Sequence, residues 1–238
     1  MNQHPGTMNN FLEEYLKQQY HQSQAPVEKE PGPLVTLSRE FGCEAKATAR
    51  YLAEKVNLYY RGIGETDEWE IISKEILEEL AKELQTDRKK VEYIFEFEQR
   101  SLVDDFFMSM TSSQYQSDWK VREAVQNVVR AFAFRGHAII VGRAGAQITR
   151  DIKKSLHVRL VAPYEWRVKH VMEKYQTSQK LAQKKVKEMD NNRNKLVEMF
   201  SKKANCHYCY DVYYNVSTMT TDQVVSDIIH MMQLKKLI

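Results

Sequence analysis

A lysine and a threonine stand where an apolar segment of this chain turns into an amphipathic one. Lys46 and Thr48 follow a short polar turn around Gly42, and this turn follows the apolar residues at 34–37. Apolar side chains at positions 49, 52, 53 and 56 then repeat at helical spacing. The first N–H groups of a helix have no partner within it, and the helix dipole favours an anion there. The pattern therefore predicts a strand, a tight loop and a helix that together bind phosphate.

This loop departs from the phosphate-binding pattern G-x-x-x-x-G-K-[ST]. If Lys46 takes the lysine position, Glu40 replaces the first glycine, Ala45 replaces the second, and Thr48 comes one residue late. Glycine permits a positive φ and a close approach of the backbone to phosphate oxygens, so Ala45 at a positive φ would cost about 1 kcal/mol. The loop alone therefore does not establish nucleotide binding.

Length, composition and charge indicate a globular protein and argue against nucleic-acid or membrane partners. The 238 residues suit one sizeable domain or a core with an inserted lobe, and 42% hydrophobic and 28% charged residues are ordinary for a globular chain. A net charge of +3 without a dense basic block argues against nucleic acid as a partner. Since no apolar run approaches the length of a membrane span and the N-terminus lacks a signal-peptide core, we expect a cytoplasmic protein with no membrane partner.

Strand and helix patterns alternate along most of the chain. Residues 1–32 read as a flexible N-terminal extension that ends in a proline-rich linker, and residues 33–238 read as the ordered domain. Strands are predicted at 34–37, 58–60, 138–141, 157–162 and 213–216. Helices are predicted after the first strand, across 68–107, and at 119–134, 164–175, 178–203 and 221–234. The alternation indicates an α/β fold with a mostly parallel sheet, and the helical block at 65–120 reads as an inserted lobe.

Basic side chains follow the ends of three predicted strands, where open parallel sheets collect their ligands. Arg39 ends the first strand, Arg143 follows the apolar strand at 138–141, and Arg167 follows the strand at 157–162. The planar fork of an arginine can bind two phosphate oxygens at once. For Arg143 taken alone, a surface ion pair with a carboxylate is the alternative.

Two further polar groups lie near the end of the chain. Asp190 and Arg193 are three residues apart on one helical face, which permits either a surface ion pair or a moving helix that brings a cation to a transferred phosphoryl group. The segment from Cys206 to Cys209 supplies at most three zinc ligands, so a tetrahedral site is incomplete. With Cys43, the chain has three cysteines, too few for a disulfide framework.

The motifs SREFG, AIIVGRAG, HVRLVAPYEWRVKHVMEKY, DNNR and YDVYYNVSTM occur in this order along the chain. Together they resemble the cytidylate-kinase-like proteins, which are P-loop relatives of the nucleoside monophosphate kinases, over about residues 34–236. The resemblance implies a three-layer P-loop NTPase fold with a parallel five-stranded sheet. It also implies that residues 65–120 form a helical acceptor lobe and residues 174–207 a helical lid.

The resemblance assigns roles to individual residues. Arg143 falls where bacterial cytidylate kinases carry the arginine of a D-G-R motif that holds the acceptor phosphate, although Val141 replaces the aspartate. Asp190 and Arg193 match lid residues that contact the acceptor and the phosphates. Arg167 lies where similar proteins have a basic residue, and we assign it to substrate binding. The ATP-binding segment would comprise Arg39, Gly42, Cys43, Glu44, Ala45, Lys46, Ala47 and Thr48, with Thr48 reaching Mg²⁺.

The resemblance implies a nucleotide kinase that transfers the γ-phosphoryl group of ATP, with Mg²⁺, to a nucleoside monophosphate such as CMP or to a similar small acceptor. Lys46, Arg143 and Arg193 would neutralise charge during the transfer. The family's loop resembles S-R-E-[FY]-G-S-G-G-R, and two of its glycines are replaced here by Glu44 and Ala45. This departure favours the alternative of a catalytically weak or inactive nucleotide-binding protein. A structural module without nucleotide is a third reading, and homo-oligomerisation stays open because an apolar helical stripe can face a core or a second copy.

Overall fold

A computed structural model describes residues 31–72, 126, 129–201 and 209–238. Its centre is one parallel sheet of five strands in the spatial order β2-β3-β1-β4-β5. The strands are β1 (Leu34–Arg39), β2 (Glu70–Ile72), β3 (Ala138–Val141), β4 (Ser155–Val161) and β5 (Val212–Asn215). The α/β architecture with five parallel strands is therefore confirmed.

Six helices occur in the described part of the chain. They are α1 (Ala45–Gly62), α2 (residues 129–135), α3 (Gly145–Ile148), α4 (Tyr164–Tyr175), α5 (Gln179–Phe200) and α6 (Thr221–Leu234). Helices α1 and α6 pack together over the apolar face of the sheet, where the main core lies. Helices α4 and α5 pack against each other and against Phe41 in the loop after β1.

The two faces of the central strands differ in polarity. Leu37 of β1 and Val158 of β4 point into the core, since successive side chains of a strand alternate between faces. On the other face, Thr36 is paired with His157, and Ser38 is paired with Arg159 one step nearer the carboxyl ends. This second face therefore carries polar groups from the middle of the sheet to its carboxyl edge.

Several predicted elements are confirmed with their bounds. The strand at 138–141 and the helices at 164–175 and 221–234 agree with β3, α4 and α6. A capping box between Thr220 and Gln223 begins α6, because each side chain accepts a hydrogen bond from the backbone N–H of the other residue. Helix α2 ends just before Gly136, which has a φ of 83° and whose N–H donates to the carbonyl of Phe132.

The prediction of the second strand is wrong. Residues 58–60 belong to α1, whose buried positions continue from Val56 to Tyr60 at helical spacing, while Leu58 is 67% exposed. The strand lies instead at Glu70–Ile72, where a helix was expected, and Ile71 pairs there with Ile139 of β3. A three-residue edge strand has no periodicity of its own to distinguish it from the helical pattern that follows it.

Other predictions fall outside the described residues. These are residues 1–30 of the flexible extension predicted at 1–32, residues 73–120 of the acceptor lobe predicted at 65–120, and the segment 202–208 with Cys206 and His207. The division of the chain at residue 32 therefore stays a prediction. Of the described helices, none combines the length and the apolar character that crossing a bilayer requires.

Candidate functional site

The loop between β1 and α1 is strained at one residue. Gly42 has a φ of 97°, and a Cβ there would lie 3.3 Å from the Cβ of Arg167. Glu44, directly before α1, has a φ of 44°, which is unfavourable for a residue with a side chain by about 1 kcal/mol. Ala45 begins the helix and is not among the residues with a positive φ. The strain considered for Ala45 therefore falls on Glu44.

The carboxylate of Glu44 is held away from the loop by α4. One oxygen accepts a hydrogen bond from Lys174 Nζ at 2.5 Å, and the other lies 3.3 Å from His170 Nε2. These contacts partly neutralise a negative charge that would otherwise repel a phosphate at the start of α1. Glu44 therefore joins the loop to α4.

The side chains of Lys46 and Thr48 point in different directions. Lys46 is exposed on the first turn of α1, whereas Thr48 is buried and its hydroxyl donates to the carbonyl oxygen of Glu44 at 3.3 Å. The exposed Ala47 occupies the position directly after the lysine. Thr48 therefore does not present its hydroxyl to an ion bound on the loop. The described part of the chain also contains no group of three acidic, histidine or cysteine side chains placed to hold a metal.

Cys43 contributes to the loop by packing. Its side chain is buried in the main core, and burial, reinforced by the negative charge of Glu40, raises the pKa of the thiol to about 12. Its backbone N–H donates to the carbonyl of Glu40 at 3.3 Å, which closes the turn. The thiol is therefore protonated at neutral pH and unsuited to nucleophilic chemistry.

Arg167 of α4 is buried beneath the loop. Its Nε donates to the carbonyl of Ala162 at 3.1 Å and lies 3.3 Å from a carboxylate oxygen of Glu40. Its Nη1 donates to the carbonyl of Phe41 at 3.3 Å and to Asp190 at 2.5 Å. Because protein groups engage these nitrogens, Arg167 holds the loop, β4 and α5 together in this conformation. Its assignment to substrate binding stays a prediction.

Asp190 of α5 completes this connection. Its Oδ1 accepts the backbone N–H of Phe41 at 2.7 Å, while its other oxygen binds Arg167. Asp190 and Arg167 thus hold the N–H and the carbonyl of the same loop residue. Arg193, one turn further along α5, lies 3.8 Å from Asp190. The i,i+3 ion pair is therefore present, and α5 also contacts the phosphate-loop candidate.

A cavity of about 150 Å³ opens at the carboxyl ends of β1, β3 and β4 and is covered by α5. It brings together four of the predicted site residues, Arg39, Arg143, Asp190 and Arg193, but Lys46, Thr48 and Arg167 are not among its lining residues. The complete lining comprises Ser38, Arg39, Glu40, Gly142, Arg143, Ala144, Arg159, Asp190, Arg193, Asn194, Leu196, Val197 and Tyr210. Four arginines against two carboxylates make it a site for an anion.

The turn that carries Arg143 is also strained. Gly142, Arg143 and Ala144 have φ values of 76°, 55° and 52°, so two residues with side chains adopt a conformation that favours glycine. A Cβ at position 142 would lie 1.9 Å from Arg39 Nη1, so only glycine lets Arg39 cross this turn. Val141, which replaces the aspartate of the resemblance, is buried in the core.

Arg193 is held by an aromatic ring. Its guanidinium lies 5.3 Å from the ring centre of Phe41, and its Nη1 is buried without a hydrogen-bond partner among the described residues. Burial lowers the pKa of this guanidinium, against the opposing effect of Asp190. An unsatisfied buried donor at a cavity wall is well suited to receive an anionic oxygen.

Arg159 and Tyr210 line the cavity but were not among the predicted site residues. Arg159 of β4 lines it, and its Nη1 donates to the hydroxyl of Tyr210 at 3.2 Å. The available signal was a charged residue at the fifth of seven positions in a strand whose other residues are mostly buried. His157, two residues earlier, lies between Thr36 and Ser155, and burial lowers its pKa to about 4.

The zinc hypothesis concerns a segment that is only partly described. Cys206 and His207 lie outside the described residues, whereas Cys209 is buried and forms a disulfide. A disulfide sulfur is not available as a thiolate ligand. The described part of this segment therefore offers no metal site.

Residues 34–218 match the model of the cytidylate kinase-like family. The chain belongs to the cytidylate kinase-like family. This match covers the loop, the cavity and all three strand ends that arginines follow, and it confirms the resemblance inferred from the motifs. Membership indicates a nucleotide kinase in general terms. No curated protein matches the chain.

A solved structure supports the fold of this cytidylate kinase-like protein. The chain is similar to the crystal structure of an uncharacterized protein from Eubacterium ventriosum ATCC 27560, with 20% sequence identity and a TM-score of 0.56. The similarity covers 84% of this chain and 98% of that one. At this identity the comparison establishes a shared fold and nothing about the reaction.

Proposed function

We propose that this cytidylate kinase-like protein is a nucleotide kinase that transfers the γ-phosphoryl group of ATP to a nucleoside monophosphate such as CMP or to a similar small acceptor. The observation that carries the proposal is the cavity with four arginines beside the loop between β1 and α1. A phosphate acceptor and a phosphate donor need neighbouring anion sites, and both features lie at the carboxyl edge of one parallel sheet.

The reaction needs alignment and charge neutralisation more than covalent chemistry from the protein. An oxygen of the acceptor phosphate attacks the γ-phosphorus, the bond to the bridging oxygen of ATP breaks, and ADP leaves. The first N–H groups of α1 and the side chain of Lys46 would bind the donor phosphates. Arg143 and Arg193 would hold the acceptor phosphate, and Arg39 would support the turn that carries Arg143.

Helix α5 would act as a lid in this scheme. It covers the cavity and supplies Asp190 and Arg193 to it. Its attachment to the loop through Asp190 and Phe41 would exclude water from the transferred group. A divalent ion usually accompanies ATP in kinases and neutralises phosphate charge. The buried Thr48 does not fit as a ligand of that ion, because its hydroxyl donates to the carbonyl of Glu44.

The position of Glu44 in the loop favours a second candidate function, that of a nucleotide-binding protein with little or no turnover. Glu44 occupies a loop position where the family's pattern has glycine, and its backbone adopts a strained φ of 44°. Lys174 and His170 fix it in this position. These features would reduce the affinity of the loop for a donor phosphate, which is expected of a nucleotide-binding protein that turns over slowly or not at all.

The direct test is incubation with ATP, Mg²⁺ and a panel of CMP, dCMP, UMP, AMP and GMP, followed by chromatography of the diphosphates. Wild type and Lys55→Ala, which removes an exposed lysine of the same helix, are expected to form product with at least one acceptor. Lys46→Ala is expected to abolish it. Turnover that survives in Lys46→Ala would place the catalytic cation elsewhere.

The outcome also separates the two functions. Folded wild-type protein that binds ATP in calorimetry but forms no diphosphate from any acceptor would favour the binding protein. In that case, Glu44→Gly should raise ATP affinity more than Ala45→Gly, because only Glu44 has a positive φ and a misplaced charge. Equal effects of the two variants would contradict this account of the loop.

A further inference from the structure

Two arginines of the cavity rest on aromatic rings. The guanidinium of Arg159 lies 5.2 Å from the ring centre of Tyr210, and that of Arg193 lies 5.3 Å from the ring centre of Phe41. A ring face orients a guanidinium without supplying a negative charge, so the arginine keeps its full charge for a ligand. This differs from Arg167, whose charge is met by two carboxylates.

The surroundings of Arg193 leave part of its fork unsatisfied. Asp190 approaches it to only 3.8 Å, and both oxygens of that carboxylate are already engaged, by Phe41 N and by Arg167. Its Nη1 is buried and has no hydrogen bond within the described part of the chain. A buried charged donor without a partner is costly, and an anion in the cavity would remove that cost.

Arg159 reaches the same cavity from the opposite wall. Arg159 belongs to β4 and is paired with Ser38 of β1, so it lies on the sheet side of the cavity, whereas Arg193 belongs to α5, which covers the cavity. The Tyr210 hydroxyl accepts hydrogen bonds from Arg159 and from the buried Gln147 at 3.2 and 3.1 Å. Tyr210 is therefore fixed and in turn positions Arg159.

The size of the cavity suits a small anion. Pockets that enclose whole drug-sized ligands are roughly 300–1,000 Å³, whereas this cavity has about 150 Å³. The described walls therefore fit the phosphate group of a nucleotide, with room for little else. Two guanidinium forks on opposite sides can together contact the terminal oxygens of one dianion.

We infer that Arg159 and Arg193 clamp the phosphomonoester group of the acceptor between the sheet and α5, with Arg159 acting as a substrate-binding residue that Tyr210 positions. The inference rests on the proposed function for the identity of the acceptor. The clamp also explains how an acceptor would draw the lid helix onto the sheet, since the anion binds both walls at once.

The experiment measures binding of CMP, AMP, inorganic phosphate, cytidine and ATP by calorimetry at fixed ionic strength. Arg159→Gln is expected to weaken nucleoside monophosphate and phosphate binding about tenfold or more, because a charge-assisted contact is lost. Cytidine, which has no phosphate, and ATP should bind as they do to wild type. The control Arg150→Gln removes an exposed arginine outside the cavity and should change nothing.

Further variants separate ligand binding from a structural role. Tyr210→Phe keeps the ring but removes the hydroxyl, so it should weaken monophosphate binding less than Arg159→Gln does. The double change Arg159→Gln and Arg193→Gln should be less than additive, since the two residues bind one phosphate. Arg159→Lys, which keeps the charge without the fork, should fall between wild type and Arg159→Gln and covers the case of an unstable glutamine variant.

Three results would overturn the clamp. In the first, Arg159→Gln binds monophosphates as tightly as wild type and only the thermal stability of the free protein falls, which is the result expected of a purely structural residue. The second is weaker ATP binding with unchanged monophosphate binding, which would place the arginines on the donor. The third is wild-type protein that binds no phosphomonoester. The clamp is tested by binding and the kinase proposal by turnover. If monophosphate binding depends on Arg159 but no diphosphate forms, the clamp stands and only the kinase proposal fails.

Discussion

Replacing Arg167 by methionine removes a buried guanidinium that joins the loop after β1 to helix α5. Arg167 is 7% exposed and meets the carboxylates of Glu40 and Asp190 together with the carbonyls of Ala162 and Phe41. Methionine fills much of the same space but offers none of these donors. We expect the variant to fold with a lower free energy of unfolding and a looser loop.

The size of the loss follows from what the variant leaves behind. Removing one partner of a buried ion pair typically costs about 3–5 kcal/mol, because the other charge stays buried and unpaired. The side chains of Glu40 and Asp190 are 27% and 22% exposed, so water relieves part of that cost. We therefore expect a loss of about 3 kcal/mol, a large share of the roughly 5–15 kcal/mol that stabilises a typical domain.

A matched control lies in the same chain. Arg135 makes two hydrogen bonds of 2.8 and 2.7 Å to Glu70, but its side chain is 33% exposed. Arg135→Met should therefore cost about 1 kcal/mol or less, as exposed pairs do. Urea unfolding followed by circular dichroism gives both values at one pH and salt concentration, provided that both variants keep the slope of wild type.

The reasoning would be refuted if Arg167→Met lost no more stability than Arg135→Met. Arg167→Lys provides a second variant if the methionine protein does not accumulate. Lysine keeps the charge, but one ammonium group cannot reproduce the forked contacts to two carboxylates and two carbonyls. We expect its loss to lie between that of the methionine variant and zero.

Three further predictions follow from the same structure. Glu44→Gly should relieve the strain of the positive φ but lose the contact with Lys174, so the free energy of unfolding should change by less than about 1 kcal/mol. Glu44→Gln keeps the strained backbone and removes the charge. Calorimetry of this variant with ATP therefore isolates the effect of the charge on binding. His157 has a folded pKa of about 4 against an ordinary 6.5, so the unfolded chain binds the proton first. Stability should therefore fall between pH 6.5 and 4 by up to about 1.4 kcal/mol per pH unit, and urea unfolding of His157→Gln should show a flatter profile. Cys43 is buried with a raised pKa, so iodoacetamide at pH 8 should label it only as fast as the protein unfolds, as peptide mass spectrometry would show; rapid labelling of the native protein would contradict its burial.

Much of the fold could be predicted because its signals are local. The strand at 138–141 is a short run of apolar residues, and α6 combines helical periodicity with a capping box. The order of such elements indicates a parallel sheet, and the carboxyl edge of that sheet indicates where arginines would meet. The cavity contains Arg39 and Arg143 as this reasoning expects, whereas Arg193 reaches it from α5, a position that only the resemblance implied.

The errors arose where a role depends on a distant partner. Glu70–Ile72 becomes a strand only by pairing with β3, some 70 residues further along the chain, and nothing in its own pattern records that pairing. Arg159 resembles any polar residue of a half-buried strand until Tyr210, 51 residues away, is placed beside it. The contact between Arg167 and the carbonyl of Phe41 has no signal in the sequence either, because Phe41 lies 126 residues away along the chain.

The sequence by itself determined the family, the alternation of strands and helices, and the set of basic residues at the carboxyl edge, since each depends on residue types and short-range spacing. Tertiary structure alone decided how those charges are used. Arg167 is paired with two half-buried carboxylates, Arg159 and Arg193 are oriented by aromatic rings, and Glu44 contacts α4. The reason is that burial and the identity of the facing group set the energy of a charge, and both are fixed only when distant segments pack together.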